Sequence, residues 1–137
     1  MITEDYVSFE VAKLLKEKGF AEKCVAYYPQ CITPIKLTFG GRVNYNAPNK
    51  FKMLSPISAP THQMAMKWLR EVHNIFIEFY IPSHSEHEDT IYHGTYSFDI
   101  FNLNTKVYVY CTWNEPEFNT YEEAVEATLK FSLEKLI

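Results

Sequence analysis

Ile75-Phe76-Ile77-Glu78-Phe79-Tyr80-Ile81 is the stretch on which the fold turns. Ile75, Ile77, Phe79 and Ile81 recur at every second position, with Phe76, Glu78 and Tyr80 between them. A period of two places alternate side chains on opposite faces of a strand, so this segment reads as a strand with one buried side. Immediately before it, Pro60 suits the first turn of a helix, where its missing N–H costs nothing. Met64, Ala65, Trp68, Leu69 and Val72 then form an apolar stripe at helical spacing. The helix should end near Asn74. Met66 points off the stripe, and the other apolar residues on it read as core.

Downstream, the alternation resumes after the polar loop Pro82 to Thr90, with Tyr92, Tyr96, Phe98 and Ile100 on one face and His93, Thr95, Ser97 and Asp99 opposite. Asn102-Leu103-Asn104-Thr105 has turn composition, and Val107, Val109 and Cys111 alternate with Tyr108 and Tyr110 to complete a hairpin. On this reading Cys111 is a small buried hydrophobe. Thr120-x-x-Glu123 is a capping box opening a last helix, whose Tyr121, Ala124, Val125, Leu129, Leu133 and Leu136 share one side.

Upstream, Val7, Val11, Leu14 and Leu15 define a short amphipathic helix after Ser8, closed by Gly19 and Phe20 in a Schellman pattern. Cys24 to Tyr28 and Ile35 to Phe39 are β-rich, and five prolines with Gly40-Gly41 interrupt the region. A weak β pair and an irregular loop over residues 41 to 59 are expected. The fold class is therefore α+β: an antiparallel sheet of three main strands, with an added N-terminal β pair, and helices packed on one face. At 137 residues the expectation is a single domain over 1–137.

The composition, 47% hydrophobic and 22% charged, excludes a disordered or fibrous chain. No run approaches the ~20 apolar residues that cross a bilayer. The N-terminus Met1-Ile2-Thr3-Glu4-Asp5-Tyr6 lacks the basic and apolar regions of a signal peptide, so a cytoplasmic, non-membrane protein is expected. Net charge is −4, unevenly spread. Between Glu22 and Glu71 there is no acidic residue, while Lys23, Lys36, Arg42, Lys50, Lys52, Lys67 and Arg70 fall there; most carboxylates lie beyond Arg70.

Motifs with specific chemistry are missing: no GxSxG, HExxH, P-loop or GxGxxG, and the spacing of Cys24, Cys31 and Cys111 fits neither a redox pair nor a four-ligand zinc site. His84, His87 and His93, near Glu86, Glu88 and Asp89, are weak metal candidates, more simply a solvated loop. Glu78 with Asp99 could act as acid and base, but exposed polar positions of a one-sided sheet explain them more simply. No cofactor is implied.

Two segments carry a resemblance: Ala59-Pro60-Thr61-His62-Gln63-Met64-Ala65-Met66-Lys67-Trp68-Leu69-Arg70-Glu71-Val72-His73-Asn74 and Tyr121-Glu122-Glu123-Ala124-Val125-Glu126-Ala127, with Ser8 to Phe20 beside them. They resemble short proteins of unassigned activity encoded in gut bacterial genomes and in their phages and mobile elements. That resemblance implies an origin and no chemistry. At the level of element order, α-β-β-β-α from Thr61 onward is similar to double-stranded RNA-binding domains, which grip phosphates with lysines at the start of the final helix. Tyr121-Glu122-Glu123 presents carboxylates there instead. Small antitoxin partner domains share the layout and a similar helix start, with strands ordered differently; both analogies concern fold alone.

The leading reading is a non-catalytic accessory or binding protein of phage or mobile-element origin that acts through protein association, as a homo-oligomer or with another protein. Its contact surface would be Phe76, Tyr80, Tyr108 and Tyr110, the aromatics on the strand face opposite the core. The alternative is nucleic-acid binding through Lys36, Arg42, Lys50 and Lys52 interleaved with Phe39, Tyr45 and Phe51, cations for phosphates and rings for bases. An enzyme ranks third.

Overall fold

The computed structural model describes residues 1–48, 55–81, 96–111 and 118–137. It contains three helices and two three-stranded antiparallel sheets, an α+β fold. The chain divides into two compact units, Met1–Ala65 with Leu129–Ile137, and Met66–Thr128.

The first unit opens with α1, Phe9–Glu17. Ser8 caps it, its Oγ accepting from the Val11 amide at 3.2 Å. The end is the Schellman arrangement: Gly19 takes φ 89°, and the amides of Gly19 and Phe20 donate to the carbonyls of Lys16 and Leu15. Val11, Ala12 and Leu15 are buried, as are Val7 and Phe20 on either side of the helix. The sheet order is β2-β1-β3, with β1 at Cys24–Tyr28, β2 at Thr38–Val43 and β3 at Ile57–Ser58. Asn46 ties the loop to this frame: its amide group donates to the Phe20 carbonyl and its carbonyl accepts from the Ser58 amide, both at 2.9 Å. The buried Tyr28 hydroxyl donates to the Val7 carbonyl at 2.7 Å.

This sheet departs from the sequence reading in two ways. The expected β pair is a triplet, because Ile57 and Ser58 join the free edge of β1 opposite Tyr28 and Tyr27. A two-residue strand has no periodicity to detect. The second strand also lies later than Ile35 to Phe39 and runs through Gly40-Gly41. Gly40 belongs inside the strand because a Cβ there would come within 2.6 Å of the Tyr45 hydroxyl.

Helix α2 spans His62–His73, capped by Thr61, whose Oγ1 accepts from the Met64 amide. Pro60 thus precedes the cap and does not occupy the first turn. Asn74, at φ 58°, ends the helix as the sequence predicts. Ala65, Trp68 and Leu69 are buried, but Val72 is exposed: the stripe gives the side of the helix and not how far along it the cover extends.

The second unit holds the sheet β4-β5-β6, with β4 at Ile75–Tyr80, β5 at Ser97–Asn102 and β6 at Val107–Cys111. In β4–β5, Ile75 faces Asn102, Ile77 faces Ile100 and Phe79 faces Phe98, giving one apolar side. Phe79 meets Tyr121, at the start of α3 (Tyr121–Lys135), edge-on at 5.0 Å. Thr120 caps α3 through its Oγ1, which accepts from the Glu123 amide. No helix among the described residues is long and apolar enough to cross a membrane.

Candidate functional site

The face of the second sheet away from its apolar side, open among the described residues except at buried Ser97, is built by the β4–β5 register, which sets Phe76 opposite Phe101, Glu78 opposite Asp99 and Tyr80 opposite Ser97. Like charges directly across a sheet are destabilising. Here each carboxylate accepts a tyrosine hydroxyl: Tyr108 donates to Glu78 Oε2 at 3.1 Å and Tyr80 to Asp99 Oδ1 at 3.3 Å. The bond to Glu78 pushes the Tyr108 phenol above its ordinary range.

β6 is irregular. Tyr108 pairs with Phe101 and Tyr110 with Ile100, so two residues of β5 step by one while β6 steps by two, leaving Val109 as the extra residue of a bulge. Tyr108 accordingly lies on the open face, edge-on to Phe101 at 5.1 Å. Tyr110 lies on the other side, stacked on buried Phe98 at 5.6 Å. The expectation that Tyr108 and Tyr110 share a face is corrected by this bulge. Of the four expected contact residues, Phe76, Tyr80 and Tyr108 come together on the open face, and Tyr110 does not.

The bulge also displaces Cys111, which pairs with Asp99 and is exposed, not buried. Desolvation first, then Asp99, raise its thiol above the ordinary cysteine range. Among the described residues β6 is an edge strand, with Val107 52%, Tyr108 54% and Val109 40% exposed.

In the first unit, Lys36 is exposed before β2 and Arg42 is exposed on it. Phe39 is 61% exposed, edge-on to Tyr6 at 5.3 Å. Tyr45 is engaged internally, stacked on Tyr27 at 4.4 Å with its hydroxyl donating to the Gly41 carbonyl. Lys50, Phe51 and Lys52, and likewise His84, His87 and His93, lie outside the described residues. Among the described residues no cluster of three or more metal-ligating side chains occurs.

A half-open cavity of about 120 Å³ is walled by Tyr6, Val25, Ala59, Pro60, Thr61 and Met64, with buried Cys24 and the exposed Lys23 and Arg42 completing its lining. Met64, placed in the core by its spacing, is therefore half-buried on a cavity wall. The Cys24 thiol lies 3.7 Å from the Glu22 carbonyl oxygen and 4.0 Å from Met64 Sδ. Burial pushes it up to about 11, against the opposing influence of Ser58 and Arg42, so at neutral pH it is an uncharged wall. The acid-free run around Lys23 and Arg42 was the signal available in sequence.

No protein-family model matches the chain, and no curated protein or solved structure matches it.

Proposed function

We propose that the chain is a non-catalytic accessory protein, of the phage or mobile-element kind its sequence resembles, that works by associating with a second copy of itself through β6. What supports this reading is the strand Val107-Tyr108-Val109-Tyr110-Cys111: an edge without a charge or a proline, exposed along most of its length. Edge strands are templates for another strand, and proteins guard them with Lys, Pro or bulges. The bulge at Val109 is the guard present in β6, and it turns Tyr108 outward beside Phe76 and Phe101 instead of removing apolar surface.

A second copy is the occupant because the strand is self-complementary. Antiparallel pairing about a two-fold axis brings Lys106, at the start of one β6, to the end of the other, where Cys111 lies against Asp99. At each end Lys106 then lies two strands from the other copy's Asp99, a favourable charge arrangement, and the paired residues in the middle are uncharged. The same pairing joins two three-stranded sheets into one, the strand-addition mode of recognition.

Sedimentation velocity from micromolar concentration upward tests the reading. A dimer is expected, with Val109→Lys shifting it to monomer while the circular dichroism spectrum is unchanged. A parent protein that stays monomeric at high concentration, or a Val109→Lys variant that dimerises as well as the parent, overturns it.

A further inference from the structure

The cavity beside Cys24 belongs to the first unit and is independent of β6. Its walls are mostly apolar: the Tyr6 ring, Val25, Ala59, Pro60 and Met64, with the protonated Cys24 thiol among them and Thr61, whose Oγ1 already accepts from the Met64 amide. Apart from Lys23 and Arg42 such a lining offers a charged head group no counter-charge, and a buried charge without a partner is costly. The tail of a ligand therefore goes inside and its head stays at the mouth.

The mouth has one sign of charge. Among the described residues Lys23 and Arg42 are the charged residues lining the cavity, no carboxylate lines it, and neither cation has an ion-pair partner. Both belong to the acid-free run between Glu22 and Glu71. A guanidinium presents paired N–H donors in the fork geometry that matches a carboxylate. Size sets the tail: a dry cavity of about 150 Å³ takes a benzene ring, and this one, at about 120 Å³, takes somewhat less.

We infer that this cavity binds a short-chain aliphatic carboxylate, with a tail of about four to five carbons against Tyr6, Val25, Ala59 and Met64 and its carboxylate on Arg42 and Lys23.

The test uses the full chain, ¹⁵N-labelled and titrated with hexanoate at constant ionic strength, read by amide chemical shifts. Shifts confined to the segments around Cys24, Arg42 and Thr61 are expected, saturating with one site. Hexan-1-ol and hexylamine, which keep the tail and remove the anion, should bind several-fold more weakly. Arg42→Gln should raise the hexanoate Kd by about fivefold, the size of one exposed ion pair, and leave the alcohol's unchanged. Because Arg42 is exposed, the variant's unchanged spectrum elsewhere confirms that it folds. Hexanoate that causes no localised shift at millimolar concentration overturns the inference. So does alcohol binding as tight as the carboxylate's, or an Arg42→Gln variant with unaltered hexanoate affinity.

Discussion

Tyr108 and Tyr110, two residues apart on one strand, face opposite sides of their sheet: Tyr108 bonds Glu78 on the open face, and Tyr110 stacks on Phe98 against the apolar one. The extra residue between them, Val109, is the cause. Their truncations should therefore separate two properties. Tyr110→Ala removes a half-buried ring and should lower stability by about 1 to 2 kcal/mol, read from urea midpoints. Tyr108→Ala should leave stability nearly unchanged and weaken dimerisation. Equal loss of stability in the two variants would show that they share a face after all.

The adjacent glycines of β2 should respond oppositely to alanine. At Gly40 the new methyl meets the Tyr45 hydroxyl at 2.6 Å and the Tyr27 ring at 3.3 Å, so Tyr45 must swing off Tyr27 and give up its bond to Gly41. Gly40→Ala should cost about 1 to 2 kcal/mol. At Gly41 a methyl meets nothing within 4 Å, and the loss of unfolded-state freedom should raise stability by about 0.5 kcal/mol. Thermal melts of the two variants check the order.

Leu69 and Leu129 are both fully buried. Truncating either to Ala should cost about 2 to 5 kcal/mol, as transfer and cavity effects combine. Lys67→Ala removes an exposed i,i+4 pair with Glu71 at 3.8 Å and should change stability by less than about 0.5 kcal/mol. A Leu129→Ala midpoint equal to the parent's would contradict the packing described.

Cys24 gives a pH signature. Its thiol is raised from 9.0 to about 11 in the folded chain, chiefly by desolvation. Below pH 9 both states keep the proton and the contribution to stability is full; as pH rises through 11 it is lost, because the unfolded thiol ionises first. The parent should lose about 2 to 3 kcal/mol more than Cys24→Ala between pH 8 and 11. In the folded protein at pH 8, a maleimide should modify exposed Cys31 and Cys111 and spare Cys24 until urea is added. Identical pH profiles for parent and variant would sink this account.

The sequence by itself determined the elements whose signals are local. Ser8, Gly19 and Thr120 mark helix ends through bonds that span three to five residues, and Asn74 marks one by its positive φ, each where the sequence places an end. The inward set of β4 follows from a period of two, and the α+β class from the order of such elements. Tertiary structure decided what depends on partners distant in the chain. Ile57–Ser58 is a strand because β1 offers it an edge, and Gly40 lies within β2 because Tyr45 fills the space above it. Cys111 and Val72 are exposed because a bulge and the limit of the cover override their periodicity. The cavity between Cys24 and Met64 joins residues forty apart, and charge patterning alone hinted at its mouth. Periodicity states which side chains share a side; register, bulges and cavities are set by what that side meets.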